Sequence, residues 1–269
     1  MQTNILSDIE LYYSQNYFDE KVVIKNEEAH HAINVMRHKV DDIIFITNGK
    51  GDIGKSKIVS ISKNELTAVV IEKYSFSNDL SNFTLCIPHI KKQDRLEFAL
   101  EKSVELGFTN FIIYDSDRSV AKGDKTNRWD KILLSAMKQS LRSWLPKVEY
   151  KKSVSEIILL EGRKILFEQK SSVKFLDLLN NEFSIHKLST EAQLTINNSQ
   201  FAISNSQFSI SNSQFAINNY LIFGPEGGFS EKEMKIFDEV EKVRLTNNRL
   251  RSETAIVSAA SLISITLTQ

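Results

Sequence analysis

A strand, a glycine turn and a capped helix follow one another directly near the carboxyl end of this chain. An apolar run at residues 220–223 predicts a buried strand. Three glycines then occur within the five positions 224–228, where they supply backbone freedom for a tight turn. Ser230 precedes Glu233 by three residues, which is the spacing of a capping box, so a helix is predicted to begin there. This succession is typical of an α/β domain.

A second turn of the same kind comes immediately afterwards. Residues 243–245 predict a short strand, residues 246–248 a polar turn, and Ser252 an N-cap with Glu253 in the first helical turn. Two strand ends and two helix starts would bring backbone amides and carbonyls together. Such a pocket suits a nucleotide-like ligand at the carboxyl ends of parallel strands. Two ordinary strand-to-helix turns remain the alternative.

Composition limits the class of protein. At 269 residues the chain can form two domains, and its formal net charge of zero gives no overall basic field for a nucleic-acid partner. The single cysteine, Cys86, excludes an internal disulfide and is expected to be an inert core residue. The five histidines lack metal-binding spacing, so no metal is expected. No signal peptide or membrane span is recognisable, and we expect a cytoplasmic protein.

The first part of the chain predicts a small β-rich domain at residues 1–73. Asn26 is the predicted N-cap of a helix that continues to Met36. Strands are predicted at residues 22–24, 43–47, 58–61 and 66–71.

A glycine-rich run inside this domain matches two phosphate-binding patterns. The sequence from Gly49 to Ser56, Gly-Lys-Gly-Asp-Ile-Gly-Lys-Ser, fits both the dinucleotide fingerprint and the P-loop. Both mechanisms need a helix directly after the glycines, whereas residues 57–61 are β-branched and alternating. We interpret the run as a hairpin loop. A P-loop nucleotide hydrolase that uses Lys55 and Ser56 is the alternative hypothesis.

Residues 74–269 alternate between strand and helix patterns, which predicts a parallel sheet with flanking helices. Strands are predicted at residues 83–90, 109–114 and 164–167, and helices at residues 94–106, 126–141 and 253–267. The last helix carries almost no charge, so it is expected to be buried on most sides. Three near-copies of a seven-residue unit begin at Asn198, Asn205 and Asn212. We interpret residues 190–219 as a low-complexity insertion without a catalytic role.

Two motifs in these turns resemble the paired signature of the 16S rRNA uracil-N3 methyltransferases. They are Gly-Pro-Glu-Gly-Gly-Phe-Ser at residues 224–230 and Leu-Arg-Ser-Glu-Thr-Ala at residues 250–255. In the amino-terminal part, Glu-Ala-His-His at residues 28–31 is similar to the PUA-like domain of the same family. The chain departs from the family at Thr246, where glycine is usual. The resemblance implies a SPOUT-class fold, in which a trefoil-knotted parallel sheet follows a PUA-like domain.

The resemblance also implies an activity. It is the transfer of a methyl group from S-adenosylmethionine to N3 of a uridine in the 16S rRNA of the small ribosomal subunit, by a homodimer that pairs through the last helix. Arg251 would orient the base or stabilise negative charge on it. Glu253 would orient Arg251 or assist proton removal, or would be only a first-turn helix carboxylate. A non-catalytic RNA-binding protein with a degenerate pocket is the alternative, with Thr246 as its motive.

The same resemblance assigns the remaining site residues. The arginines proposed to contact RNA phosphates are Arg37, Arg118 and Arg142, for which surface ion pairs are the alternative. The cofactor-binding residues would be Leu166, Phe167, Glu168, Phe223, Gly224, Pro225, Glu226, Gly227, Gly228, Leu245, Asn247, Leu250 and Thr254.

Overall fold

The computed structural model describes residues 9–18, 20–181 and 217–267. It divides into two compact units. The first comprises Met1–Asn78, Leu100–Thr109 and Asn127–Lys147, and the second comprises Asp79–Ala99, Asn110–Thr126 and Val148–Gln269. The three seven-residue repeats, up to residue 216, lie outside the described residues.

The first unit is built on a six-stranded, mostly antiparallel sheet. Its strands are β1 (Leu11–Tyr13), β2 (Asn16–Phe18), β3 (Lys21–Lys25), β4 (Ile43–Thr47), β5 (Asp52–Ile61) and β6 (Glu65–Ser75). The spatial order is β1-β4-β5-β6-β3-β2, and only the β1–β4 pair is parallel. Alternate residues point inward, as in β3, where Val22 and Ile24 are fully buried. The period-2 pattern therefore forms the core of this unit.

Two predictions for this unit are wrong. The helix α1 (Asn26–His30) has Lys25 as its N-cap without a side-chain hydrogen bond, so Asn26 is not the cap. Asn26 instead takes a φ of 56°, in the left-handed region that asparagine tolerates, and its N–H donates to the carbonyl of Asn64 at 3.2 Å. A π-helical turn, His31–Val35, continues the helix. The P-loop hypothesis is also wrong, because Lys55 and Ser56 lie within β5 and no helix begins there.

The second sheet has the predicted parallel character. Its strands are β7 (Phe83–Pro88), β8 (Asn110–Tyr114), β9 (Lys147–Lys151), β10 (Arg163–Phe167), β11 (Asn219–Phe223) and β12 (Glu241–Val243). The order is β12-β10-β11-β7-β8-β9, with parallel pairing from β12 through β8. The central strands are almost continuously buried, which is the pattern expected when helices cover both faces. The strand predicted at residues 243–245 lies earlier, in β12.

Helices in the described part of the chain include α2 (Gln93–Glu105), α3 (Thr126–Gln139), α4 (Val154–Ile158), α5 (Glu231–Ile236) and α6 (Ser252–Leu267). The Ser230–Glu233 capping box is present at α5, as predicted. The prediction of Ser252 as an N-cap is wrong, because Ser252 is the first helical residue of α6. One face of α6 is buried, but Ile265 is 60% exposed, so burial on most sides is wrong for its last turn.

Cys86 is fully buried in the core of the second unit. Burial raises the pKa of the Cys86 thiol, and the residue is an unreactive core side chain, as predicted. None of the described helices is long and apolar enough to cross a membrane. Within the described ranges, no three His, Cys, Asp or Glu side chains come together as a metal site.

We expect Tyr114→Phe to lower the free energy of unfolding by about 1–3 kcal/mol. The buried hydroxyl of Tyr114 donates a hydrogen bond to the carbonyl of Phe223 at the end of β11, and the substitution leaves that carbonyl unpaired. Urea unfolding followed by circular dichroism measures the loss. Tyr220→Phe on β11 is the control, because the Tyr220 hydroxyl has no hydrogen bond to a described residue. Equal effects of the two substitutions would contradict this explanation.

Candidate active site

A cavity of about 800 Å³ opens at the carboxyl ends of three parallel strands. β10 contributes Phe167 and β11 contributes Phe223, which are paired in register, and Val243 ends the neighbouring β12. All three side chains line the cavity. Ligands of parallel α/β sheets bind at this edge, where the chain leaves each strand for the next helix.

The floor of the cavity is aromatic. The rings of Phe167 and Phe223 are stacked at a centroid distance of 4.5 Å with an interplanar angle of 5°. Phe175 packs edge-on against Phe167 at 4.8 Å. Gly224 follows Phe223, and a Cβ at that position would come within 3.1 Å of the Phe229 ring. The floor therefore offers a flat apolar surface, and the backbone of Gly224 lies beside it.

The first bend, residues 224–230, is tied to the loop after β8. Ser230 accepts a hydrogen bond from the Glu233 amide at 3.1 Å, and Glu233 accepts one from the Ser230 amide at 2.8 Å. The Ser230 hydroxyl also donates to Asp117 at 2.6 Å, while the Asp117 amide donates to Glu233 at 3.0 Å. Arg118 donates to the carbonyl of Gly227 at 3.2 Å. The capping box thus anchors a second loop to the glycine bend.

The second bend, residues 244–251, is hydrogen-bonded to the first. The hydroxyl of Ser252 donates to the carbonyl of Gly224 at 3.0 Å. Arg249 donates to the carbonyl of Glu226 at 3.2 Å. The two bends predicted to form one pocket therefore meet in space.

Arg95, on the first turn of α2, joins both bends by its charge. Its guanidinium lies 3.4 Å from a carboxylate oxygen of Glu226 and 3.5 Å from Oε1 of Glu253. Glu253 is buried, and its Oε2 has no hydrogen-bond partner among the described residues. Sequence reasoning missed Arg95. Its only local signal was a basic residue in the first turn of a helix that follows a strand, because the partners lie more than a hundred positions away.

Most of the predicted site residues line this one cavity. They are Phe167, Glu168, Phe223, Gly224, Pro225, Glu226, Gly228, Leu245, Leu250 and Arg251. Five others do not line it, and these are Leu166, Gly227, Asn247, Glu253 and Thr254.

The residues outside the lining have definite positions. Leu166 is fully buried in the core of the second unit, on the strand that carries Phe167. Gly227 carries the carbonyl bound by Arg118, and Asn247 accepts a hydrogen bond from Gln169 at 3.4 Å. Thr254 is exposed on α6. Arg251 is exposed, and its side chain makes no hydrogen bond or ion pair with a described residue.

The three arginines predicted to face RNA lie in different parts of the chain. Arg37 and Arg142 belong to the first unit, and Arg118 belongs to the second. All three are exposed. Arg37 has a φ of 61°, and Arg142 donates to the carbonyl of Glu105.

Together, the parallel sheet, the two bonded bends and the aromatic floor define an α/β domain of the kind that binds a nucleotide-like cofactor. The model of the RNA methyltransferase domain matches residues 78–264, and that of the RNA methyltransferase PUA domain matches residues 24–71. The chain therefore belongs to the RNA methyltransferase family, as its paired motifs indicated.

Individual relatives agree with this assignment. The chain is 29% identical to the ribosomal RNA small subunit methyltransferase E of Bacillus subtilis, over 90% of this chain and 88% of the relative. Two solved structures with bound S-adenosyl methionine share the fold. That of the Neisseria gonorrhoeae ribosomal RNA small subunit methyltransferase E has a TM-score of 0.72 at 23% identity, covering 96% of this chain and 97% of its own. A Legionella pneumophila methyltransferase has a TM-score of 0.71 at 18% identity, and the match covers 96% of this chain and 98% of the other.

These matches confirm the predicted fold class, an α/β domain with a parallel sheet after a β-rich PUA-like domain, while its SPOUT-type knot stays a prediction. Membership of an enzyme family also argues against the alternative of a non-catalytic RNA-binding protein. Thr246 lines the cavity without closing it.

We expect Arg95→Met to lower the free energy of unfolding by about 1–2 kcal/mol, because it leaves the Glu253 carboxylate buried and unpaired. Adding Glu253→Gln should restore part of the loss, since the uncompensated charge is then absent. Urea unfolding of the two single variants and the double variant measures this coupling.

Arg249→Met is the matched control for Arg95→Met. Arg249 lines the same cavity, but its side chain is bonded only to a backbone carbonyl among the described residues, so its loss should cost less than about 1 kcal/mol. If the changes in unfolding free energy of Arg95→Met and Glu253→Gln simply add in the double variant, the two side chains are not energetically coupled.

Proposed function

We propose that this protein is an S-adenosylmethionine-dependent methyltransferase that methylates N3 of a uridine in 16S ribosomal RNA. The observation that carries the proposal is the pair of hydrogen-bonded bends at residues 224–230 and 244–251, which contain the first motif of the family resemblance and the start of the second. The names of the relatives, ribosomal RNA small subunit methyltransferase E, support small-subunit ribosomal RNA as the substrate. The choice of uridine N3 rests on the motif resemblance.

The cavity fits the cofactor by chemistry. Its stacked pair, Phe167 and Phe223, gives an apolar surface for an adenine ring, and the backbone of the first bend lies beside it. The carboxylate of Glu226, which also pairs with Arg95, would supply negative charge toward the cationic sulfonium group of the cofactor. When bound, the cofactor supplies an electrophilic methyl group. We therefore propose that the cofactor-binding residues named from the sequence hold it here. Leu166, Gly227, Asn247 and Thr254 do not line the cavity themselves, but each is next in sequence to a residue that does.

In this mechanism the chain aligns the uridine and stabilises charge on it. Loss of the N3 proton leaves negative charge on the uracil oxygens, which the guanidinium of Arg251 would stabilise. Arg251 suits this role because its side chain is exposed at the cavity and free of partners among the described residues. Glu253 is paired with Arg95, so we propose that it supports the site through Arg95. The target base has to leave its stack to reach this position.

For RNA binding we propose a division of labour along the chain. Residues 1–73 form the PUA-like RNA-binding domain, and residues 74–269 form the methyltransferase domain. Arg37, Arg118 and Arg142 are exposed and are proposed to bind phosphates. The enzyme is expected to work in the cytoplasm, where ribosomal subunits are its partner.

We also propose that the working form is a homodimer paired through α6. The helix is apolar along its length, and Ile265 leaves 60% of its surface exposed near the last turn. A helix whose one charged residue, Glu253, lies in its first turn and whose last turn is apolar and uncovered is a suitable self-complementary surface.

The central prediction concerns Arg251→Ala. We expect methyl transfer to 16S rRNA to fall about a hundredfold or more in kcat, because charge stabilisation in the transition state is lost. The affinity for S-adenosylmethionine, measured by calorimetry, should change little. Mass mapping of 16S rRNA from a strain lacking the gene, restored with wild type or variant, identifies the methylated nucleotide.

Lys232→Ala, at an exposed position on α5, is the charge-matched control and should retain full activity. Absence of S-adenosylmethionine binding by the wild type would overturn the proposed function. Methylation of an atom other than uridine N3 would overturn the assigned substrate atom while leaving the enzyme class intact.

For the dimer we expect Ile265→Glu to shift the protein to the monomer in analytical ultracentrifugation, because it places a charge in an apolar interface. Leu159→Glu is the control, since Leu159 is 85% exposed on another element. An unchanged sedimentation coefficient for Ile265→Glu would refute pairing through this end of α6.

A further inference from the structure

Two glycines of the glycine-rich run, Gly49 before β5 and Gly54 within it, lie against tyrosine side chains. A Cβ at Gly49 would lie 2.8 Å from ring atom Cε2 of Tyr13, and a Cβ at Gly54 would lie 2.3 Å from the hydroxyl of Tyr17. Real Cβ atoms essentially never come this close to another heavy atom. Two tyrosine rings therefore lie against bare backbone, and the absence of side chains at these glycines makes room for them.

These tyrosines line a cavity of about 330 Å³ in the first unit. Tyr13 and Tyr17 are half-buried, and Gln15 lies between them in the sequence. Asn48 and Lys50 complete the lining from the hairpin. The cavity thus combines two aromatic rings, two side-chain amides and one ammonium group.

The hairpin side of the cavity is fixed in place. The side-chain oxygen of Asn48 accepts hydrogen bonds from the amides of Lys50 at 2.7 Å and Asp52 at 3.1 Å. The Asn48 amide group donates to the Asp52 carboxylate at 2.9 Å. Across the cavity, the Ser14 hydroxyl donates to the carbonyl of Val23 at 2.6 Å and so holds the segment between the two tyrosines. The rings are presented on rigid backbone.

Lys50 differs from its basic neighbours on this sheet. Lys55 and Lys73 are paired with Glu72 and Asp52. The ammonium group of Lys50 is exposed and has no ion pair within the described part of the chain. A free cation therefore stands beside the two rings.

We propose that this cavity binds one unstacked nucleotide of single-stranded RNA, with its base against Tyr13 and Tyr17 and its phosphate at Lys50. Aromatic rings accept any base face, and a neighbouring cation holds the backbone, which is how proteins bind single-stranded nucleic acid. The Gln15 amide can donate to and accept from a base edge. The inference rests on the proposed function in that RNA is the substrate, but it names a second contact, separate from the reacting uridine.

The test compares binding of a short single-stranded oligoribonucleotide with binding of its duplex, by fluorescence anisotropy. Tyr13→Leu with Tyr17→Leu should weaken the single strand about tenfold or more, because stacking is lost, and leave the duplex unchanged. Tyr74→Leu, at a half-buried position on β6 outside the cavity, should have no effect on either.

A second variant avoids any effect on folding. Lys50→Ala should reduce the slope of log Kd against log salt by about 0.7, the value for one phosphate of a single strand. Lys63→Ala, exposed in the turn between β5 and β6, should leave the slope unchanged. Wild-type affinity in the tyrosine variant, or equal effects of the two lysine substitutions, would overturn the proposal.

Calorimetry with S-adenosylmethionine on the same proteins separates this inference from the proposed function. Normal RNA and cofactor binding by the wild type, together with insensitivity to Tyr13, Tyr17 and Lys50, would refute only the second site. Failure of the wild type to bind the cofactor would refute the proposed function instead.

Discussion

The hydrogen bond from Ser252 to the carbonyl of Gly224 holds the two bends of the site together. It joins the first residue of α6 to the residue that follows β11, across 28 positions of sequence. With the bends in contact, their backbone groups face one volume, and the exposed side chain of Arg251 lies at its edge. Ser252 is the first residue of α6 rather than the residue before it, and its hydroxyl bonds to another segment of the chain, so the local capping pattern was misleading here. The site depends on tertiary geometry more than on helix propensity.

Arginines hold the glycine bend from three sides. Arg95 from α2 pairs with the Glu226 carboxylate, Arg249 from the second bend binds the Glu226 carbonyl, and Arg118 binds the Gly227 carbonyl. Glycine-rich backbone has more conformational entropy to lose than any other, and it has few side chains of its own to pack. Contacts from three separate segments restrict it before a ligand arrives. Such preorganisation is what an alignment mechanism for methyl transfer requires, because the reacting atoms must be held in position.

The sequence predicted well what is local and poorly what is distant. The buried strand at residues 220–223 and the Ser230 capping box could be found because their signals lie within a few positions. The three-residue strands β1 and β2 are too short for a periodic pattern, and the alternating charges of β9 concealed a strand. Six of the residues that line the cavity could be named from the two motifs, and these are Gly224, Pro225, Glu226, Gly228, Leu250 and Arg251. Arg95 could not be predicted from sequence, because its partners, the carboxylates of Glu226 and Glu253, come near it only in the folded chain.

Thr246 shows how a departure from a family pattern can be judged physically. Glycine is indispensable where the backbone takes a positive φ or where a Cβ would collide with a neighbour. The φ of Thr246 is not positive, and its side chain is exposed where it lines the cavity. Its hydroxyl donates to the carbonyl of Asn248 at 2.7 Å, so the side chain closes the turn by a hydrogen bond. The backbone at this position has no need of glycine, and the bend keeps its contact with the first motif through Ser252 and Arg249.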